Sequence, residues 1–134
     1  MIVVDTNLLV DYHVPRPRTS LAEAVLARDP VWSAPMLWRS EFRNVLVLLI
    51  DDGLLEIEDA LRLANHAERR MAAGEYHVLS EAVLRLAIDS GCSAYDCEFV
   101  ALAQDLGTRL VTSDAELLKA FPGVAVTPER FARQ

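Results

Sequence analysis

Short apolar segments rich in β-branched residues alternate along this chain with longer segments of helical periodicity. The short segments cover residues 1–4, 31–34, 76–79, 109–112 and 124–126. Strands joined through helices favour parallel pairing, with both faces of the sheet covered. The alternation therefore predicts an α/β fold, in which residues 1–134 form one three-layer α/β/α domain around a mainly parallel sheet of four to five short strands.

The helical segments carry recognisable end signals. Four serines precede such segments and are predicted to be their N-caps: Ser20, Ser80, Ser93 and Ser113. Four glycines are predicted to end helices: Gly53, Gly74, Gly91 and Gly107. The two longest helices are predicted over residues 36–52, with Trp38 in the core, and over residues 58–73, with Leu61, Ala64 and Ala67 facing inward.

The chain is acidic, with 13 Lys and Arg against 20 Asp and Glu and a net charge of −7. It therefore lacks a general electrostatic affinity for phosphate backbones. Its longest apolar run, residues 45–50, is far shorter than the roughly 18–20 residues of a membrane span, so we expect a cytoplasmic protein without membrane contact. Two cysteines are too few for a disulfide scaffold or a four-ligand zinc site.

Four acidic residues are expected at one edge of the predicted sheet: Asp5, Glu41, Asp96 and Asp114. In open parallel sheets, ligands bind beyond the carboxyl ends of the strands. Clustered carboxylates repel one another and attract cations, and an all-oxygen ligand set favours Mg²⁺ or Mn²⁺ over zinc. Two such ions, roughly 3.5–4 Å apart, would activate a water and stabilise the leaving oxygen of a phosphodiester.

Each of these acids also has a plainer interpretation. Asp5, Asp96 and Asp114 have positions typical of helix caps. Glu41 could form a surface ion pair with a nearby arginine. Their joint placement at one sheet edge favours the metal site.

Four sequence segments resemble those of the PIN-domain family, and within it the VapC-like toxins of bacterial toxin–antitoxin pairs. They are IVVDTN at 2–7, SEFRNVL at 40–46, SAYD at 93–96 and LVTSD at 110–114. The resemblance covers nearly the whole chain. It implies a ribonuclease that uses Mg²⁺ or Mn²⁺, with one or two ions per site, to cleave RNA by metal-activated water. It also implies a homodimer that a separate antitoxin protein silences by blocking the acidic site.

The same resemblance assigns roles to individual residues. Asp5, Asp96 and Asp114 match the family's direct metal ligands, and Glu41 matches its fourth acid, which can act through water. Four polar residues flank two of these acids: Thr6, Asn7, Thr112 and Ser113. The first two are expected to orient the Asp5 carboxylate, and the last two to hydrogen-bond Asp114 or a metal-bound water.

Four arginines are candidates for contacts with RNA phosphates: Arg16, Arg18, Arg39 and Arg43. The first two form a small basic loop with His13, and the other two lie one helical turn apart beside Glu41. The alternative is a solvated loop and an intrahelical ion-pair face, and the sequence leaves this choice open.

The two longest predicted helices offer more apolar surface than a small sheet can cover, which predicts a dimer through residues 36–52 and 58–73. Alternative functions are a PIN nuclease in RNA processing or DNA cleavage, a non-catalytic binding module, and a Mg²⁺-binding receiver-like signalling domain. Against the last, the single lysine, Lys119, lies inside a helix. Against a phosphatase of the haloacid dehalogenase type, Asn7 replaces the second aspartate needed for proton transfer.

Overall fold

The computed structural model describes residues 1–134 and contains one sheet of five strands. The strands are β1 (Ile2–Val4), β2 (Trp32–Pro35), β3 (Glu75–Tyr76), β4 (Leu110–Val111) and β5 (Ala125–Val126). They are arranged in the order β3-β2-β1-β4-β5, and every neighbouring pair is parallel. The predicted α/β class with a parallel sheet is confirmed.

Eight α-helices connect and cover the strands: α1 (Thr6–His13), α2 (Thr19–Arg28), α3 (Leu37–Asp51), α4 (Ile57–Met71), α5 (Ser80–Ser90), α6 (Ala94–Leu106), α7 (Ala115–Ala120) and α8 (Pro128–Arg133). Helix α6 packs against β1, β2 and β4, whereas α1 packs with α2, α3 and α4. Helices thus cover the sheet as a three-layer fold requires. None of the helices combines the length and apolarity needed to cross a membrane.

Several helix ends lie where the sequence predicts them. Ser93 is the N-cap of α6, and its hydroxyl accepts a hydrogen bond from the Asp96 amide at 3.0 Å. Gly91 and Gly107 end α5 and α6 in the left-handed conformation, with φ of 77° and 64°. Gly74 does not end α4 directly. The helix ends at Met71, and a 3₁₀ turn over Ala72–Gly74 follows it.

Three of the four predicted serine caps are wrong. Ser20 and Ser80 lie inside the first turns of α2 and α5, and the residues that precede these helices make no side-chain cap hydrogen bond. Helix α7 is capped by Asp114 rather than by Ser113, because one carboxylate oxygen accepts from two successive backbone amides. The Ser113 hydroxyl is instead bonded to Arg18.

The core is centred on the sheet and on the inner face of α3, where Trp38, as predicted, and Phe42 are at most 1% exposed. The α4 prediction is correct for Ala67, which is fully buried, but wrong for Leu61, which is 63% exposed. The buried stripe of α4 runs through Ala60, Ala67 and Met71, so Leu61 faces away from the core.

Candidate metal centre

All four predicted acids line a single cavity of about 240 Å³. Asp5 directly follows β1, Asp114 lies between β4 and α7, Glu41 is in the second turn of α3, and Asp96 is in the first turn of α6. Because β1 and β4 are parallel neighbours, their carboxyl ends meet at one sheet edge. The topology therefore places residues that are up to 109 positions apart in sequence around one space.

Asp5 is the most deeply buried of these acids, at 9% exposure. Its Oδ1 accepts a hydrogen bond from the Leu8 amide at 2.9 Å, and its Oδ2 accepts one from the Thr112 hydroxyl at 2.6 Å. Burial raises the pKa of Asp5 from its ordinary 3.8 to about 6, although both hydrogen bonds oppose the rise. Asp5 is thus both the N-cap of α1 and a member of the acidic cavity.

Glu41 is half-buried, and its Oε1 accepts a hydrogen bond from the Thr6 hydroxyl at 2.7 Å. Burial raises the pKa of Glu41, and the charges of Asp96 and Glu98 raise it further. Thr6 therefore orients Glu41, so the expectation that it orients Asp5 is wrong. The hydroxyl that donates to the Asp5 carboxylate is that of Thr112, which directly follows β4.

The negative charges of Asp96 and Asp114 repel each other across the cavity. Burial raises the pKa of Asp96, and the charge of Asp114 is the next largest cause. Asp114 holds its own position as the cap of α7, where Oδ1 accepts from the amides of Glu116 and Leu117 at 2.9 and 3.1 Å. The repulsion among these carboxylates is the condition under which a site recruits cations.

Thr112 connects two of the acids. Its hydroxyl donates to Asp5 and accepts from the Asp114 amide at 3.0 Å. Of the other polar residues predicted to support the site, Asn7 lines the cavity, whereas the Ser113 hydroxyl accepts from Arg18 at 3.1 Å and does not bond Asp114.

The donor set of the cavity is suited to a hard divalent cation. Carboxylate and hydroxyl oxygens surround it, and oxygen ligands are those that Mg²⁺ and Mn²⁺ prefer. As the side chains are placed, no group of three or more acidic, histidine or cysteine residues is arranged to hold a metal ion. A bound ion would therefore have to draw the carboxylates closer together.

Arg39 and Arg43 lie away from the cavity. The Arg39 guanidinium bonds Glu75 at 2.6 Å and Glu68 at 2.8 Å, which joins α3 to β3 and α4. Arg43 approaches the same Glu68 at 3.8 Å. The structure thus places both arginines in an ion-pair network, with Arg39 fully engaged in it.

The loop after α1 is less basic than its sequence indicates. Arg16 and Arg18 both pair with Asp11, at 3.5 and 3.2 Å. His13 packs edge-on against Phe42, and burial lowers its pKa from 6.5 to about 4. The expectation that His13 contributes to a basic loop is therefore wrong, because the imidazole is neutral at pH 7.

Sequence reasoning missed two acids near the site. Asp11 is 7% exposed and neutralises the arginines of the following loop. An acid within the apolar helical run LLVDY was the available signal. Glu98 lies two residues after Asp96, where its charge raises the pKa of Glu41, and burial raises its own pKa.

Comparisons with known proteins identify relatives of this chain. The pattern of the family described as PIN domain matches residues 2–122. The ribonuclease VapC3 of Pyrobaculum aerophilum is 29% identical over 130 residues, which cover 95% of this chain and 98% of the relative.

Solved structures share the fold. That of PAE2754 from Pyrobaculum aerophilum has a TM-score of 0.77 and 23% identity, covering 99% of this chain and 97% of the other. The structure of a toxin–antitoxin complex from Klebsiella pneumoniae has a TM-score of 0.69 and 21% identity, and the match covers 96% of this chain and 98% of the other. The structure of FitAcB from Neisseria gonorrhoeae has a TM-score of 0.70 and 20% identity, and the match covers 96% of this chain and 99% of the other.

Proposed function

The chain belongs to the PIN-domain family, and we propose that it is a metal-dependent endoribonuclease, the toxin of a VapBC-type toxin–antitoxin pair. The observation that carries the proposal is the cavity of about 240 Å³ in which carboxylates from four separate segments of the chain meet. Burial raises the pKa of Asp5, Glu41 and Asp96, and repulsion from another acid of the cavity adds to it for Glu41 and Asp96. A divalent cation would relieve this repulsion. The similar protein from Pyrobaculum aerophilum is named a ribonuclease.

Asp5, Asp96 and Asp114 would hold Mg²⁺ or Mn²⁺ directly, and Glu41 would act through water. One or two such ions, when bound, supply a nucleophile at neutral pH and stabilise the charge on a phosphodiester. Thr112 holds one oxygen of Asp5 at 2.6 Å and so fixes the orientation of that carboxylate. Burial raises the pKa of Glu41 and so makes it a stronger base for a proton from water, while the Thr6 hydroxyl holds one of its oxygens.

The partners of this nuclease follow from the same proposal. The substrate is RNA, and the acidic cavity is covered by a cognate antitoxin protein in the silent state. Two structures that share the fold are described as a toxin–antitoxin complex and as FitAcB. The RNA substrate places the proposed activity in the cytoplasm.

A homodimer through α3 and α4 is part of the proposal. Large apolar side chains are at least half exposed around the junction of these helices: Val47, Leu48, Leu54, Ile57 and Leu61. An apolar surface of this kind is typical of a protein–protein contact. In a symmetric dimer the same patch of each protomer would cover the other.

The receiver-like alternative finds no support in the position of its required lysine. Lys119 lies on α7 and lines a different cavity, together with Cys92 and Glu116. It is not among the residues around the four acids.

The test is cleavage of a pool of structured RNAs by the purified chain, freed of co-purifying protein, in Mg²⁺, Mn²⁺ or EDTA. The variant Asp96→Asn is compared with the matched control Asp105→Asn, which changes an exposed aspartate on the same helix. We expect metal-dependent cleavage that the first variant lowers by at least about 100-fold, the upper end of what loss of a supporting residue costs. Cleavage that persists in EDTA, or that both variants retain equally, would contradict the proposal.

A further inference from the structure

A single guanidinium joins three segments of the chain beside the acidic cavity. Arg18 Nε donates to Asp11 Oδ2 at 3.2 Å. One terminal nitrogen of the same group donates to Ser113 Oγ at 3.1 Å and to Glu129 Oε1 at 3.3 Å. The first bond reaches back to α1, and the other two reach the β4–α7 loop and α8.

Asp11 and Thr19 hold Arg18 and its turn in position. The Asp11 side chain is 10% exposed and pairs with both arginines of the loop, so it is a buried anchor rather than a surface acid. Thr19 ties the same turn together, because its hydroxyl donates to the Asp11 carbonyl at 2.7 Å and accepts from the Arg16 amide at 3.0 Å. The guanidinium is therefore presented to Ser113 from an ordered turn.

Ser113 is an exposed residue in the short loop between β4 and α7 that carries Asp114. Strand β4 ends at Val111, and the last sheet hydrogen bond along it is that of the Thr112 amide to Val126 at 2.9 Å. Asp114 begins a new helix as its cap. Between these two points, the Ser113 backbone amide contacts the Asp5 carboxylate, and the Ser113 hydroxyl accepts the hydrogen bond from Arg18.

We propose that Arg18 is a positioning residue: anchored on Asp11, it holds Ser113 and thereby fixes where the N-terminus of α7, with its capping Asp114 carboxylate, lies for a divalent cation. This rests on the proposed function, and it assigns Arg18 to the metal centre rather than to an RNA phosphate. The effect also reaches Asp5, because Thr112 is bonded to both the Asp114 amide and the Asp5 carboxylate.

An arginine is required by this geometry. Its planar fork offers Nε to one acceptor and a terminal nitrogen to others at the same time, whereas a lysine has a single nitrogen at its end. The variant Arg18→Lys keeps the positive charge beside Asp11 but has one nitrogen, so it cannot reproduce the two-nitrogen fork that reaches Asp11 and Ser113. It thus separates charge from positioning.

The experiment compares Arg18→Lys, Arg18→Gln and Ser113→Ala with the charge-matched control Arg130→Gln, an exposed arginine on α8. Mn²⁺ affinity is measured by calorimetry on RNA-free protein, and cleavage kinetics are measured on one RNA that the wild type cuts. We expect the first three variants to bind Mn²⁺ about tenfold more weakly, as for other residues that support metal ligands. Their KM for RNA should stay unchanged at saturating Mn²⁺, and the control should match the wild type.

Two further readings make the test specific. The double variant Arg18→Gln/Ser113→Ala should bind Mn²⁺ no more weakly than either single variant, because both remove the same restraint. In metal-free protein, amide hydrogen exchange at residues 113–115 should be faster in Arg18→Gln than in the control. Ser113→Ala removes one hydroxyl and so keeps the comparison valid if an Arg18 variant unfolds.

The outcomes that overturn the inference are distinct from failure of the proposed function. Unchanged Mn²⁺ affinity in the Arg18 variants, together with a salt-dependent rise in KM, would make Arg18 a phosphate contact instead. Equal behaviour of all variants and the wild type would remove any role for Arg18. Wild-type protein that neither binds Mn²⁺ nor cleaves RNA would refute the proposed function itself, and with it the inference.

Discussion

Replacing Asp5 by asparagine is expected to stabilise the metal-free protein at neutral pH and to abolish the proposed metal-dependent cleavage. Asp5 is 9% exposed, and its pKa is about 6 instead of 3.8. The difference of about two pH units, at 1.36 kcal/mol for each unit, corresponds to about 3 kcal/mol that ionisation of this carboxyl costs the folded state. The neutral amide of Asp5→Asn avoids that cost.

The amide can replace the carboxylate in its contacts with the Leu8 amide and the Thr112 hydroxyl, but the second bond reverses direction, because the NH₂ group donates where the carboxylate accepts. Its oxygen replaces Oδ1 as the acceptor from the Leu8 amide. Its NH₂ group faces the Thr112 hydroxyl, which has a second lone pair besides the one that receives the Asp114 amide. The substitution therefore changes the charge with little change in shape.

The sign of the pH dependence follows from proton binding. Between pH 3.8 and about 6 the folded wild type holds a proton on Asp5 that the unfolded chain has released. The free energy of unfolding of the wild type therefore falls as pH rises through this window, and it levels off above it. The variant lacks this titration, so its advantage is expected to be small at pH 4 and to reach about 3 kcal/mol at pH 7.

Urea unfolding in EDTA, followed by the fluorescence of the buried Trp32 and Trp38 from pH 4 to pH 8, measures this difference. Adding Mg²⁺ or Mn²⁺ should then stabilise the wild type and leave the variant unchanged, because only the native site binds the ion. A stability difference that is the same at pH 4 and pH 8 would refute the buried-charge reasoning. So would a variant that is less stable throughout.

Three other predictions concern packing, an ion pair and assembly. Gly74→Ala should lower the free energy of unfolding by about 1–3 kcal/mol in urea titrations, because an added Cβ would overlap the backbone carbonyl of Trp32. Glu75→Gln should lower it by about 1.5–3 kcal/mol at pH 7. The hydrogen bond from Arg39 holds the pKa of Glu75 below its ordinary 4.5, so the loss of unfolding free energy should become smaller as the pH falls below that value. A loss that does not depend on pH would contradict this role of the ion pair. Leu61→Asp, which changes a side chain that is 63% exposed, should convert the proposed dimer to a monomer in light scattering. A wild-type protein that is already a monomer at micromolar concentration would disprove the dimer.

Local sequence patterns were enough to predict the class of fold and most of its elements. The alternation of short apolar runs with helical periodicity predicts the parallel sheet, and the end of each strand shows which acids share its edge. Gly91, Gly107 and Ser93 end or begin helices as predicted, because a cap depends on backbone conformation within a few residues. Helix α7 is capped by Asp114 rather than by Ser113, whose hydroxyl accepts a hydrogen bond from Arg18 of another segment.

The partners of the site residues were decided by tertiary structure alone. Thr6 bonds Glu41 across 35 positions, and Thr112 bonds Asp5 across 107. The burial that makes His13 neutral likewise comes from packed neighbours rather than from its basic flanks. Periodicity and capping act over a few residues, whereas hydrogen-bond partners, desolvation and the pKa shifts they cause depend on which distant segments the packed sheet brings together.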